Sequence, residues 1–302
     1  MWAIIVRKLV YLVITVILIL SFNFFLFRIM PGDPARSIAG HGQLTEEQRE
    51  TVYRLFGLDQ PLHIQFLLYL RNCFTGQLGY SFSTYKTRLV MEVVLESIKY
   101  TLILVGASTA ISVIIGVILG IISAWKRGTK IDLFFTGSGI ILYSLPTYWF
   151  GMLLIMIFSA RLGLFPISQA TSIPPPSDPV MYILDMGWHS VLPIATFALT
   201  AFADFALIMR DSLIDVLTED YIVTAHAKGL RETEVLRRHA VPNAMLPVVT
   251  QITMYFAWVV AGAIMIEIVF TWPGIGLLTY QAIYKRDYPI IQAVFLVFTI
   301  AM

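Results

Sequence analysis

The chain has 302 residues, 58% of them apolar and 13% charged, with a formal net charge of +2 and one cysteine, Cys73; its mean hydropathy is +0.77. Soluble domains carry about 25% charged residues, so the composition excludes an ordinary water-soluble domain, together with disordered, collagen-like and disulfide-scaffold classes. The near-neutral charge gives no argument for nucleic-acid binding.

Apolar runs of about 18 or more residues are long enough to cross a hydrocarbon core of roughly 30 Å. The first covers Leu9 to Phe27 behind Arg7 and Lys8. It lacks the small-residue cleavage site of a signal peptide, which predicts a retained helix. An amphiphilic, charge-balanced segment, 31–98, separates it from the second run, Tyr100 to Trp125. There Gly116 and Gly120 form a G-x-x-x-G, which lets helix backbones approach closely. The third run, Leu133 to Phe158, contains Pro146, whose missing backbone donor predicts a kink. The fourth and fifth run from Val191 to Met209 and from Val248 to Phe270. A last run from Pro289 to Met302, about 14 residues, reads as an incomplete sixth span. The fold class expected is all-α: a polytopic helical membrane protein of about six transmembrane helices. Its parts are an N-terminal helix (1–30), a sizeable segment after the first span (31–98) and a transmembrane core (99–302).

Lys and Arg in short loops set orientation, because cytoplasmic loops are enriched in them. Arg7 and Lys8, then Lys126, Arg127 and Lys130, then Arg210, Lys228, Arg231, Arg237 and Arg238 fall in segments that share one side. The other side holds Arg161, Lys285 and Arg286. This predicts a cytoplasmic N-terminus and places 31–98 outside.

Catalytic signatures are missing. There is no G-x-x-x-x-G-K-[ST], G-x-S-x-G, H-E-x-x-H or C-x-x-C, and His41, His63, His189, His226 and His239 all fall outside the apolar runs. The chain therefore carries neither a phosphate-binding loop nor a hydrolase constellation. Asp204 and Glu267 lie in or at the edge of apolar runs. Ionisable groups at membrane depth normally face a bundle interior or a water-filled cavity, so both are candidate pathway-lining residues. Glu267 also lies close to Trp272 and Pro273, and a hydrogen-bonding role near the interface stays open for it. No paired Asp/Glu/His relay or inverted repeat emerges, which argues against an ion-coupled secondary transporter.

The polar stretch 218–247 reads TEDYIVTAHAKGLRETEVLRRHAVPNAMLP. Thr218 is placed to cap a short helix whose first turn holds Glu219 and Asp220, favourable at the positive end of the helix dipole. Lys228 and then Gly229 give the order of a helix stop. A second short helix, Glu232 to Ala240, is expected to end before Pro242. Small Ala225 and Ala227 leave room for close docking against another protein. Physics alone leaves two readings open, a docking knob and an ordinary interhelical loop.

The stretch resembles the coupling loop of permease subunits of binding-protein-dependent ABC importers, in the branch that imports peptides, with nickel and some oligosaccharide systems as relatives. The branch pattern, approximately D-Y-x-x-T-A-x-A-K-G-L and then R-H-A-x-x-N-A-x-x-P, is met by Asp220, Tyr221, Thr224, Ala225, Ala227, Lys228, Gly229 and Leu230, then by Arg238, His239, Ala240, Asn243, Ala244 and Pro247. Further stretches are similar: Arg28 and Met30 to Pro34; Gly57 to Pro61 with Gly76, Leu78, Gly79 and Ser81; and Glu267, Val269, Phe270 and Trp272 to Gly276 with Ala282 and Arg286 to Pro289. Departures are Val223, Thr224 and Ala225 where the wider superfamily has Glu-Ala-Ala, His226 where Arg is frequent, and Pro242 where Arg is common.

The resemblance implies a multi-pass inner-membrane subunit that forms half of a peptide pathway, with 99–302 as its permease core and 218–247 as its cytoplasmic coupling loop. It implies as partners a second homologous permease subunit, two cytoplasmic ATP-binding subunits and an extracytoplasmic substrate-binding protein, for which 31–98 is expected to supply a docking or gating surface. ATP and Mg would be used by the partner ATPases, with no catalytic residue, metal or cofactor on this chain. Oligosaccharide and nickel remain the alternative cargoes.

Overall fold

The computed structural model describes residues 2–29, 50, 59–81, 83–85 and 88–301. The sequence landmarks Met30 to Pro34, Gly57 and Leu58 lie outside the described residues. In chain order the helices are α1 (Trp2–Ile29), α2 (Leu62–Thr75), α3 (Val90–Trp125), α4 (Lys130–Ser144), α5 (Thr147–Leu154, running on as a π turn over Ile155–Arg161) and α6 (Pro179–Leu217). They continue as α7 (Asp220–Ala227), α8 (Glu232–Val235, running on as a π turn over Leu236–Ala240), α9 (Val241–Gly262), α10 (Ile264–Val269), α11 (Ile275–Tyr284) and α12 (Tyr288–Ala301). Outside the helices there is an isolated antiparallel bridge between Tyr80 and Leu89. The all-α expectation holds throughout the described residues.

Helices α1, α3 and α6 are long and apolar enough to cross a membrane, and α4 with α5 makes a fourth crossing if the broken pair is one span. The break is larger than the kink expected at Pro146, since the two axes diverge by 100°. Leu145 has the extended backbone (φ −77°, ψ 135°) that a following proline favours, because the ring clashes with an α-helical predecessor. Pro146 then serves as the cap residue before α5. The fifth run is corrected in the same way. Helix α9 starts at Val241, inside the stretch expected to be loop, and the apolar run is divided at Ala263 between α9 and α10. Gly262, a poor helix former, closes α9.

The chain forms two compact units, 1–100 with 274–302, and 101–273. In the first, Val90, Val93 and Val94 at the start of α3 are buried with Ile275, Leu278 and Ala282 of α11 and Ile290, Ile291 and Val294 of α12. Helix α2 packs on α1 through an edge-to-face pair, Phe24 with Phe66, at 5.3 Å between ring centroids. The fully buried Asp287 gathers Ser81, Ser83 and Thr84. Its Oδ2 accepts from the Ser81 hydroxyl at 2.6 Å and from the backbone N–H groups of Ser83 and Thr84 at 3.1 and 2.8 Å.

In the second unit, α4, α5 and α9 pack on α6, a 39-residue helix with Pro193 inside it. Asp178 caps its start by accepting from the Met181 N–H at 2.8 Å. His189 lies within α6 just before its apolar run and holds its ring Nδ1 2.8 Å from the Asp185 carbonyl.

Candidate functional site

The G-x-x-x-G of α3 sets how closely the second unit packs. A Cβ built on Gly116 would fall 2.7 Å from the Phe202 carbonyl oxygen of α6, and one on Gly120 would fall 2.6 Å from that of Ala206. Both are far inside van der Waals contact, so only glycine lets these backbones meet. The expected close helix contact is therefore real, and its partner is α6.

Just beyond α3, the turn into α4 is tied to α6 by a buried ion pair that the sequence did not reveal. Arg210 donates from Nε to Asp132 Oδ1 at 2.8 Å and from Nη2 to Oδ2 at 2.9 Å. The Asp132 carboxylate also accepts from the Ser123 hydroxyl at 2.9 Å and the Gly128 N–H at 3.0 Å. Such a two-pronged, charge-assisted contact fixes orientation as well as distance. The only sequence hint is a lone arginine at the end of an apolar run and an aspartate four residues after a glycine.

From there α6 leads into the 218–247 segment. Thr218 does not cap the following helix as expected. Its hydroxyl donates back to the Asp215 carbonyl at 2.7 Å, which also accepts from the Thr218 backbone N–H at 3.1 Å, and Glu219 takes the cap position of α7 without a side-chain bond. Asp220 occupies the first turn of α7, and Thr224 donates to its carbonyl at 3.0 Å. Lys228 closes the helix and Gly229 follows at φ +80°, the left-handed backbone expected of a glycine stop.

Helix α8 does not end before Pro242. It widens into a π turn at Leu236–Ala240 and passes directly into α9, with Pro242 in the first turn of α9, where a missing N–H is tolerated. Asn243 donates to the His239 carbonyl at 2.7 Å across this junction, and Arg238 pairs with Glu234 at 2.7 Å on the surface.

Beneath these helices Ile222, Ala225, Val235, Ala240, Ala244 and Val248 share one buried cluster with Met209 and Leu213 of α6 and Ala124 of α3. Ala225 thus faces inward, contrary to its expected docking role, and Leu230 packs against the same cluster. The outward face carries Asp220, Tyr221, Thr224, Ala227, Lys228, Gly229, Arg238, Asn243 and Pro247, with His239 half-buried. The residues matched to the coupling pattern therefore divide between an inner anchoring row and an outer exposed row.

A second feature of this unit is a cleft of about 480 Å³ lined by residues of α4, α5, α6, α9 and α10, Tyr143, Thr147, Phe197, Thr200, Tyr255 and Met265 among them. Half-buried Asp204 stands one hydrogen bond behind its wall, with its Oδ2 accepting from the Tyr255 hydroxyl at 2.5 Å. Glu267 has a different setting. It is fully buried and accepts from the Thr101 hydroxyl at 2.7 Å, while its carbonyl accepts from the Trp272 N–H at 2.8 Å. Its geometry is that of an internal hydrogen-bonding residue.

Residues 116–302 match the family described as the binding-protein-dependent transport system inner membrane component, and residues 1–105 match the N-terminal region of such membrane components. The chain belongs to this family. It is therefore a multi-pass membrane permease of a binding-protein-dependent ABC transport system. It is 37% identical over 300 residues to the glutathione transport system permease protein GsiC of Escherichia coli K12, covering 98% of this chain and 91% of that protein. It is 33% identical over 271 residues to the oligopeptide transport system permease protein AppB of Bacillus subtilis 168, covering 90% of this chain and 84% of that protein. The methionine ABC transporter MetNI, solved in inward-facing conformations, shares the fold at TM-score 0.53 and 18% identity, over 68% of this chain and 89% of that chain.

Proposed function

We propose that this permease forms half of a membrane pathway for peptides and is driven, through the 218–247 knob, by ATP hydrolysis in two cytoplasmic partner subunits. A second homologous permease would complete the pathway, and an extracytoplasmic binding protein would deliver cargo. ATP and Mg act in the partners, and this chain contributes no catalytic group. The likeness to AppB and GsiC, whose names specify oligopeptide and glutathione transport, supports a peptide cargo. The charge pattern of the loops supports a cytoplasmic N-terminus.

One observation carries the coupling role: the knob is anchored and exposed at once. Its inner row shares a core with α6 and α3, while Tyr221 and Val223 of α7 are 42% and 61% exposed. A body fastened in this way moves as a unit when something grips its outer face, and the displacement passes into α6 instead of being absorbed by a slack loop. A nucleotide-driven partner would thereby bias a two-state helix bundle.

The test is cross-linking and transport with the whole complex. Ala227→Cys should cross-link to a cysteine placed on the ATP-binding subunit, and the complex in proteoliposomes should take up peptide only with ATP and its binding protein. Uptake that persists without ATP would refute the coupling reading and favour an ion-gradient carrier.

A further inference from the structure

Tyr255 lines the cleft of the 101–273 unit, and its hydroxyl proton is committed to Asp204. A phenol has one proton to donate and lone pairs that accept. With the proton directed at Asp204, the Tyr255 oxygen keeps only acceptor capacity. Donation to a carboxylate also enriches that oxygen in electron density and strengthens it as an acceptor. Thr200, on the same wall, is committed in the same sense. Its hydroxyl donates to the Thr196 carbonyl at 2.9 Å, and its oxygen too is left to accept.

The remainder of the lining agrees with this polarity. Tyr143, Tyr148 and Phe197 supply aromatic rings, whose faces are electron-rich and attract cations. Among the described lining residues there is no Lys, Arg or His, so no fixed positive charge opposes a cation there. A wall of acceptors and ring faces, with a carboxylate one hydrogen bond behind it, is complementary to a group that carries several N–H donors and a positive charge. A primary ammonium is that group.

We propose that this cleft is a subsite for the ammonium group of the cargo, with Tyr255 and Thr200 as contact residues and Asp204 as a positioning residue that holds the Tyr255 proton away from the cleft and supplies the countercharge. For a peptide the group is the N-terminal amine. This rests on the peptide reading above and adds which end of the peptide the permease recognises.

The experiment is equilibrium binding of radiolabelled trialanine and N-acetyl-trialanine to the whole detergent-solubilised complex without its binding protein, so that only the membrane part discriminates. The wild type should prefer the free amine. Asp204→Asn and Tyr255→Phe should each weaken trialanine on the order of tenfold, the loss expected for a hydrogen bond to a charged group, and leave N-acetyl-trialanine where it was. Co-elution with the partner subunits checks that each variant has assembled. If Tyr255→Phe does not assemble, Thr200→Val takes its place. Equal weakening of both peptides, or no preference in the wild type, overturns the subsite. ATP-driven uptake of trialanine by the wild type in proteoliposomes is measured alongside. Uptake with an undiscriminating cleft sinks the subsite alone, whereas absent uptake sinks the peptide reading itself.

Discussion

Arg210, within α6, holds both carboxylate oxygens of Asp132 in the first turn of α4. Side-chain exposure is 8% for Asp132 and 21% for Arg210, and Asp132 keeps its Ser123 and Gly128 donors when Arg210 is removed. Arg210→Ala should cost about 1.5–3 kcal/mol, the range for losing a hydrogen bond to a charged group. Arg210→Lys keeps the charge but loses the two-pronged grip, and should cost less. Melting of the purified complex checks the order, wild type above Lys above Ala. Equal melting temperatures would show that the pair is dispensable.

Gly229 sits at φ +80° with open space where a Cβ would project, so a substitution there meets backbone strain and no steric neighbour. Gly229→Val forces a β-branched residue into the left-handed region, at a cost of about 1–3 kcal/mol. We expect an assembled complex with reduced uptake and reduced ATPase stimulation by the binding protein. Gly229→Asn, which tolerates this conformation better, should retain more of both. Wild-type coupling in the Val variant would remove the turn from the mechanism.

At Gly120 the obstacle is reversed, because a Cβ would fall 2.6 Å from the Ala206 carbonyl oxygen. Gly120→Leu should therefore separate α3 from α6 and lower the yield of assembled complex. Gly137 in α4 has no atom within 4 Å of its Cβ position, and Gly137→Ala serves as the tolerated comparison. Membrane-fraction yield after affinity purification distinguishes the two, and equal yields would contradict the close approach.

The Arg238–Glu234 pair is a surface contact, with 71% and 33% of its side chains exposed. Exposed pairs contribute about 0–1 kcal/mol. Arg238→Ala should leave the melting temperature unchanged while lowering stimulated ATPase, if Arg238 belongs to the outer face gripped by the partner. A fall in melting temperature without loss of coupling would assign it a structural role instead.

Much of the architecture was legible because apolar length and glycine or proline placement are local signals. The runs at Leu9 to Phe27, Tyr100 to Trp125 and Val191 to Met209 each fall within a single helix, and Gly229 stops α7 as read. What was misread depended on three-dimensional context. Thr218 had two helix ends within reach, and the preceding one took its hydroxyl. Ala225 and Ala227 are alike as letters, yet helix phase buries one and exposes the other. Asp132 drew no reading from the sequence, because its partner lies 78 residues away. The depth of the bend at Pro146 was likewise unreadable, since a proline marks a break without specifying its angle.

That bend has a consequence for the solvent around the protein. Between Ser144 and Thr147 the helical ladder is cut, although the Leu145 N–H still reaches the Leu142 carbonyl at 3.3 Å and the Phe150 N–H reaches that of Pro146 at 3.0 Å. Acyl chains offer no hydrogen bonds, so peptide groups freed within a membrane need protein or water beside them. Pro146 and Thr147 both border the cleft. The break thus borders the cleft instead of depending on acyl chains for its hydrogen bonds, and exchanging side chains along the cleft walls would leave this backbone break in place.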